Sequence, residues 1–114
     1  GDDVIGMLGT DDKLKKEISN AAQSTGELVW ELPLWDMYHE MIKSDIADYK
    51  NAGNRSAGTI TAAAFLSKFV GDYPWVHLDI AGPAWADKDK AYIPKGASGV
   101  AMRLLVEFLR NRVR

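Results

Sequence analysis

An α/β fold is predicted by three observations. The stretch Trp75-Val76-His77-Leu78-Asp79-Ile80-Ala81-Gly82 alternates polar and apolar positions and is stopped by Gly82-Pro83, which is a strand signature. The segment at residues 58–70 has helical length and is apolar almost all round, so its helix needs packing on most sides. The patterns run strand, helix, short extended piece, helix, loop, helix, strand, helix, an order that favours layered helices and sheet. Only two of these are good strands, and two make a poor sheet. The chain therefore reads as part of a larger one.

Taken in order, Val4-Ile5-Gly6-Met7-Leu8 reads as a short buried strand. Thr10 is placed to cap a helix, with Asp11 and Asp12 in the first turn, where carboxylates complement the dipole. Leu14, Ile18, Ala21, Ala22 and Thr25 recur at helical spacing, with Lys15, Lys16 and Glu17 outward, and Gly26 stops the helix. Residues 27–32 are short and extended. Pro33 is suited to open a second helix, on which Leu34, Met37, Tyr38, Met41 and Ile42 form an apolar stripe of the kind that faces a core. Residues 43–57 are rich in turn formers and poor in apolar side chains. After the strand at 75–82, residues 87–95 form a polar loop, and Gly96-Ala97-Ser98-Gly99 leads into a last helix. That helix carries Val100, Leu104, Val106, Phe108 and Leu109, with Arg110, Arg112 and Arg114 at its C-terminal end, where cations suit the dipole.

Composition narrows the function classes. The 114 residues make at most one domain. The formal charge of −2 gives no electrostatic case for a nucleic acid or an anionic membrane. With no cysteine there is neither a disulfide framework nor a thiolate metal site, which fits a cytoplasmic location. No apolar run approaches the ~20 residues that span a bilayer, and the N-terminus lacks the pattern of a signal peptide.

Residue chemistry alone stops short of an activity. Ligands in open α/β sheets bind beyond the carboxyl ends of strands, so the turn Ala81-Gly82-Pro83-Ala84-Trp85 is the first place to look; its small residues suit the wall of an apolar pocket. His77 and Asp79, two apart on a strand, point the same way and read as a buried hydrogen-bonded pair rather than a catalytic dyad, since no nucleophile in a G-x-S-x-G elbow accompanies them. His39, Glu40, Asp45 and Asp48 match no zinc spacing and read as a solvated face.

Five stretches carry a resemblance: GMLGTDD at 6–12, STGELVWELPLWDMYHEMIKSDIADYKN at 24–51, RSAGTITAAAFLSKFV at 55–70, WVHLDIAGPAW at 75–85 and KGASGVAMRLLVEFL at 95–109. Together, and in this order, the chain resembles the C-terminal part of the leucyl (cytosol) aminopeptidase catalytic domain. The resemblance implies a three-layer α/β/α mixed-sheet domain, incomplete over residues 1–114. It implies a dinuclear enzyme that removes N-terminal residues from peptides with two divalent ions, zinc or manganese, and assembles as a hexamer. The family's N-T-D-A-E-G-R signature, which holds two acidic ligands and a catalytic arginine, does not occur in this sequence. The family's metal-ligating and catalytic lysines and its other ligating aspartates also lie upstream of the matched region. The expectation is therefore a chain with no catalytic or metal-ligating residue of its own, inactive alone and partnered by the preceding part of the domain. What carries over is the substrate side-chain pocket, at Ala81 and Ala84. The alternative is a stand-alone, non-enzymatic module that kept the fold and binds peptides or a protein.

Overall fold

In a computed structural model, residues 1–53 and 55–114 are described. Strand β1 (Ile5–Gly9) runs into helix α1 (Asp12–Thr25), followed by β2 (Val29–Glu31), the short α2 (Asp36–Glu40), α3 (Gly58–Ser67), β3 (Val76–Asp79), β4 (Trp85–Ala86), β5 (Gly96–Ala97) and α4 (Met102–Val113). The main sheet has the order β2-β1-β3. β2 lies parallel to β1, with Ile5 opposite Val29, and β3 lies antiparallel, with Met7 opposite Leu78 and Leu8 opposite His77. The sheet is mixed, as the resemblance implies.

The strand period of two divides β1 between two layers. Ile5 and Met7 pack with Ile18, Ala21, Ala22 and Leu104, and Val29, Val76 and Leu78 join them. This is the layer of α1 and α4. On the other face, Gly6 sits against Thr59 of α3 and Leu32: a β-carbon built on Gly6 would stand 3.2 Å from Thr59 Cγ2. Thr61, Ala63, Ala64 and Ile42 are buried, while Phe69, just beyond α3, is 70% exposed. The molecule is a slab of 48 × 37 × 18 Å with a radius of gyration of 15.5 Å, against about 13 Å for a compact domain of this length. The slab shape leaves Trp30, Trp35, Phe69, Tyr73 and Leu109 in solvent.

Several local expectations need correction. Asp11, not Thr10, caps α1: its carboxylate accepts the Leu14 N–H at 2.7 Å. Thr10 is still held in the sheet, its N–H donating to Trp75 O at 3.0 Å. Gly26 does stop the helix, with φ 70° and its N–H donating to Ala22 O. Lys15 is not an outward charge: its side chain is 15% exposed and bridges Asp12 and Glu31. Pro33 opens no helix; α2 starts at Asp36, and Trp35 at its N-cap makes no side-chain capping bond. The extended piece at 27–32 contains a true strand, because it pairs with β1. The short β4–β5 ladder, Trp85 opposite Ala97 and Ala86 opposite Gly96, was not expected at all. It turns the glycine-rich lead-in to α4 into a strand and delays the helix to Met102. α3 ends at Ser67, and residues 68–71 form turns rather than continuing the helix. The irregular reading of 43–57 holds where it is described; Asn54 lies outside the described residues.

The start of α4 depends on Glu27, which is 7% exposed. Its Oε1 accepts the Ala101 N–H at 3.0 Å and its Oε2 the Leu104 N–H at 2.9 Å. A carboxylate on the free N–H groups of a helix start both satisfies them and complements the dipole. At the other end, Arg112 does more than face the dipole, pairing with Glu17 of α1 at 2.7 Å.

Candidate functional site

The turn after β3 is held from several directions. Asp79 Oδ1 accepts the Ala81 N–H at 2.9 Å, the local closure an Asx turn provides. The Ala84 N–H donates to Ile80 O at 2.9 Å, and the Ala84 carbonyl accepts the Ser98 N–H at 2.9 Å. The Ser98 hydroxyl donates to the Pro83 carbonyl at 2.6 Å. Directly after the turn, β4 pairs with β5.

Two clefts flank this turn. The smaller, about 530 Å³, is lined by Gly6, Trp30, Leu32, Thr59, Asp79 and Ala81, with the N-terminal residues beside Gly82. Gly6 keeps its wall back: a methyl there would press on Thr59 and Leu32 at 3.2 and 3.3 Å. The larger, about 820 Å³, has Pro83, Trp85, Tyr92, Val100 and Met102 as apolar walls and Lys90 and Arg103 as cations. Ala81 is exposed and lines the smaller cleft. Ala84 is half-buried within the turn and lines neither. The two residues singled out in the sequence thus share one turn without sharing one cleft.

The His77–Asp79 pair does not form as expected. Asp79 spends its carboxylate on the Ala81 N–H. The His77 ring lies on Trp75, centroids 6.1 Å apart, and its Nε2 is buried with no partner. His39 is similar: Nδ1 is buried and unpartnered, and burial, helped by nearby Lys68 and opposed by Asp36, holds its pKa below the usual histidine range. Asp45 and Asp48 lie exposed on a loop whose Ser44 hydroxyl accepts the Ile46 and Ala47 N–H groups. Among the described residues no three His, Asp or Glu side chains converge to hold a metal ion. The described side chains therefore do not by themselves fit a two-metal site.

Sequence reasoning missed Ser98 and Glu27. Their partners lie 15 and more than 70 positions away along the chain, beyond the reach of any local spacing rule.

Solved structures define the class. The bottromycin maturation enzyme BotP in complex with Mn superposes with a TM-score of 0.95 at 37% identity, over 100% of this chain and 26% of that one. A tomato leucine aminopeptidase mutant superposes with a TM-score of 0.88 at 38% identity, over 97% of this chain and 21% of that one. The fold is the α/β fold of aminopeptidase-type catalytic domains. The chain belongs to the cytosol aminopeptidase family, whose catalytic-domain model matches residues 1–106. A relative from Geobacter sulfurreducens, named "Probable cytosol aminopeptidase", is 57% identical over 100% of this chain. One of the same name from Roseiflexus castenholzii is 58% identical over 97% of it. The chain spans about a quarter of the length of these curated relatives, 23% in each case. No described helix is long and apolar enough to cross a membrane.

Proposed function

We propose that residues 1–114 serve as the C-terminal part of the catalytic domain of a dinuclear-metal leucyl aminopeptidase that hydrolyses N-terminal residues from peptides. The observation that carries this reading is the family match across nearly the whole chain. In it, the chain contributes sheet strands and the 81–84 turn as part of the wall for the substrate's first side chain. The two divalent ions, zinc or manganese, polarise the scissile carbonyl and activate water in such enzymes. Their ligands would come from outside these residues. The manganese in the BotP complex supports that choice of metal. A hexameric assembly and a cytoplasmic location complete the proposal, the latter supported by the names of the relatives.

The 114-residue chain on its own is expected to be inactive, because the acidic signature of the family is absent from its sequence. Hydrolysis of a leucyl chromogenic substrate with added zinc or manganese checks this. Turnover that scales with the concentration of the pure chain would overturn it and place the chemistry on residues present here.

Ala84 lines neither of the two clefts described, so the proposal puts it on a wall that the rest of the domain completes; in the full-length enzyme, Ala84→Leu is expected to narrow that pocket. The substitution adds three carbons to a half-buried turn position, and leucyl substrates should lose about 1–3 kcal/mol of transition-state binding, as pocket misfits do. Alanyl substrates, whose side chain reaches less deep, should lose less. The readout is the leucyl-to-alanyl ratio of kcat/KM. An unchanged ratio with folding intact would remove Ala84 from the pocket.

A further inference from the structure

We infer that Ser98 is a positioning residue for the side-chain pocket, acting through the 81–84 turn without touching substrate. The inference rests on the aminopeptidase reading above and extends it to a residue on a different segment of the chain.

The turn that carries Ala81 and Ala84 has no regular structure of its own to hold it. Within the 79–84 segment it has two bonds, Ala81 N–H to Asp79 Oδ1 and Ala84 N–H to Ile80 O, both 2.9 Å. These fix its curvature. Its position relative to the rest of the molecule is set at its two ends by the β1–β3 and β4–β5 pairings, and between those ends by Ser98. The Ser98 N–H donates to Ala84 O at 2.9 Å, and its hydroxyl donates to Pro83 O at 2.6 Å. The same oxygen accepts the Val100 N–H at 3.3 Å. One residue thus clamps two consecutive carbonyls of the turn and ties them to the chain entering α4.

What lies behind Ser98 is tied to the core by buried hydrogen bonds. Gly99, at φ 67°, makes the turn a glycine allows without strain, and Ala101 stands at φ 71°, a conformation that a non-glycine residue keeps only where the surroundings hold it. Ala101 and Leu104 are held by the buried Glu27 carboxylate. Pro83, whose carbonyl takes the hydroxyl, is itself buried. The Ser98 hydroxyl is therefore the side-chain link between a fixed helix start and the turn. A neutral hydrogen bond to a buried carbonyl is costly to leave unmade, so its loss should be relieved by a shift of the turn. Such a shift moves the Ala81 and Ala84 wall relative to the substrate.

The test compares Ser98→Ala, Ser98→Thr and Ala84→Leu in the full-length enzyme, with leucyl and alanyl substrates. Ser98→Ala is expected to lower the leucyl-to-alanyl ratio of kcat/KM roughly three- to tenfold, the worth of one such hydrogen bond. The change should appear mainly in KM for leucyl substrates. Ser98→Thr, which keeps the hydroxyl, should restore the ratio. If Ser98→Ala does not fold, Ser98→Cys carries the same comparison: its thiol is a weaker donor, and its larger sulfur on a longer bond cannot keep the 2.6 Å contact with Pro83 O. A ratio that is unmoved by Ser98→Ala, or by Ser98→Cys in its place, but moved by Ala84→Leu overturns the role of Ser98 and leaves the pocket in place. A ratio unmoved by both overturns the pocket reading and the inference with it.

Discussion

Gly9→Ala is expected to destabilise the protein by about 3 kcal/mol, the upper range for forcing an extra methyl into a packed site. Gly9 ends β1 opposite Val76 of β3. A β-carbon there would stand 2.6 Å from Trp75 O and 2.9 Å from Val76 Cγ2. The carbonyl cannot step aside cheaply, because it also accepts the Thr10 N–H at 3.0 Å. The β1–β3 ladder would have to spread at its Gly9–Val76 end. Gly58→Ala is the control: it lies in the first turn of α3 with nothing near the added methyl, so it should be neutral or slightly stabilising through helix propensity. Denaturant unfolding of the two variants beside the parent decides. Equal midpoints for both would show that the close approach at Gly9 carries no cost.

Glu27→Ala is expected to cost about the same, roughly 3 kcal/mol, because it strands two buried N–H donors at once. Ala101 and Leu104 would lose their acceptors at 3.0 and 2.9 Å, and Arg103, 3.8 Å from Oε1, would lose its counter-charge. Ala101 would also keep its left-handed φ of 71° with nothing to hold it, a strain of about 1 kcal/mol. Glu27→Gln should cost less, since its amide oxygen still takes one N–H while its NH₂ faces the other donor. Denaturant unfolding gives the energies, and amide exchange at Leu104 and Leu105 locates the loss. A loss below about 0.5 kcal/mol, the range of ordinary surface changes, would mean that the carboxylate does not hold α4.

The elements legible in the sequence were those whose signal is local. Ile5, Met7, Val76 and Leu78 show the strand period, and the α1 stripe of Ile18, Ala21 and Ala22 shows the helical one. The stop at Gly26 needs only one residue in the left-handed region. What failed was decided at a distance. β2 is three residues long, and only its pairing to β1 makes it a strand. Thr10 has a capping side chain, but the sheet carries the chain one residue further, so the N-cap falls on Asp11, whose carboxylate takes the Leu14 N–H. The β4–β5 ladder joins two dipeptides with no strand pattern. The turn at 81–84 was legible as a place, through the end of the strand before it and the family resemblance. Its brace was not, because Ser98 looks like one more polar residue in a glycine-rich lead-in.

The order β2-β1-β3 also bears on how the chain folds. Of these three strands, the first in sequence is the middle one. β1, α1 and β2 form a short-range parallel unit that closes with little loop entropy. β3 pairs with the other edge of β1 across α2, the long loop and α3, and α4, which packs on α1, comes later still along the chain. Without β3, one backbone edge of β1 is unpaired, with Met7 on one face of the strand and Leu8 on the other. Long-range pairing of this kind sets a slow late step. A nascent chain stalled there exposes the edge through which strands of neighbouring molecules add.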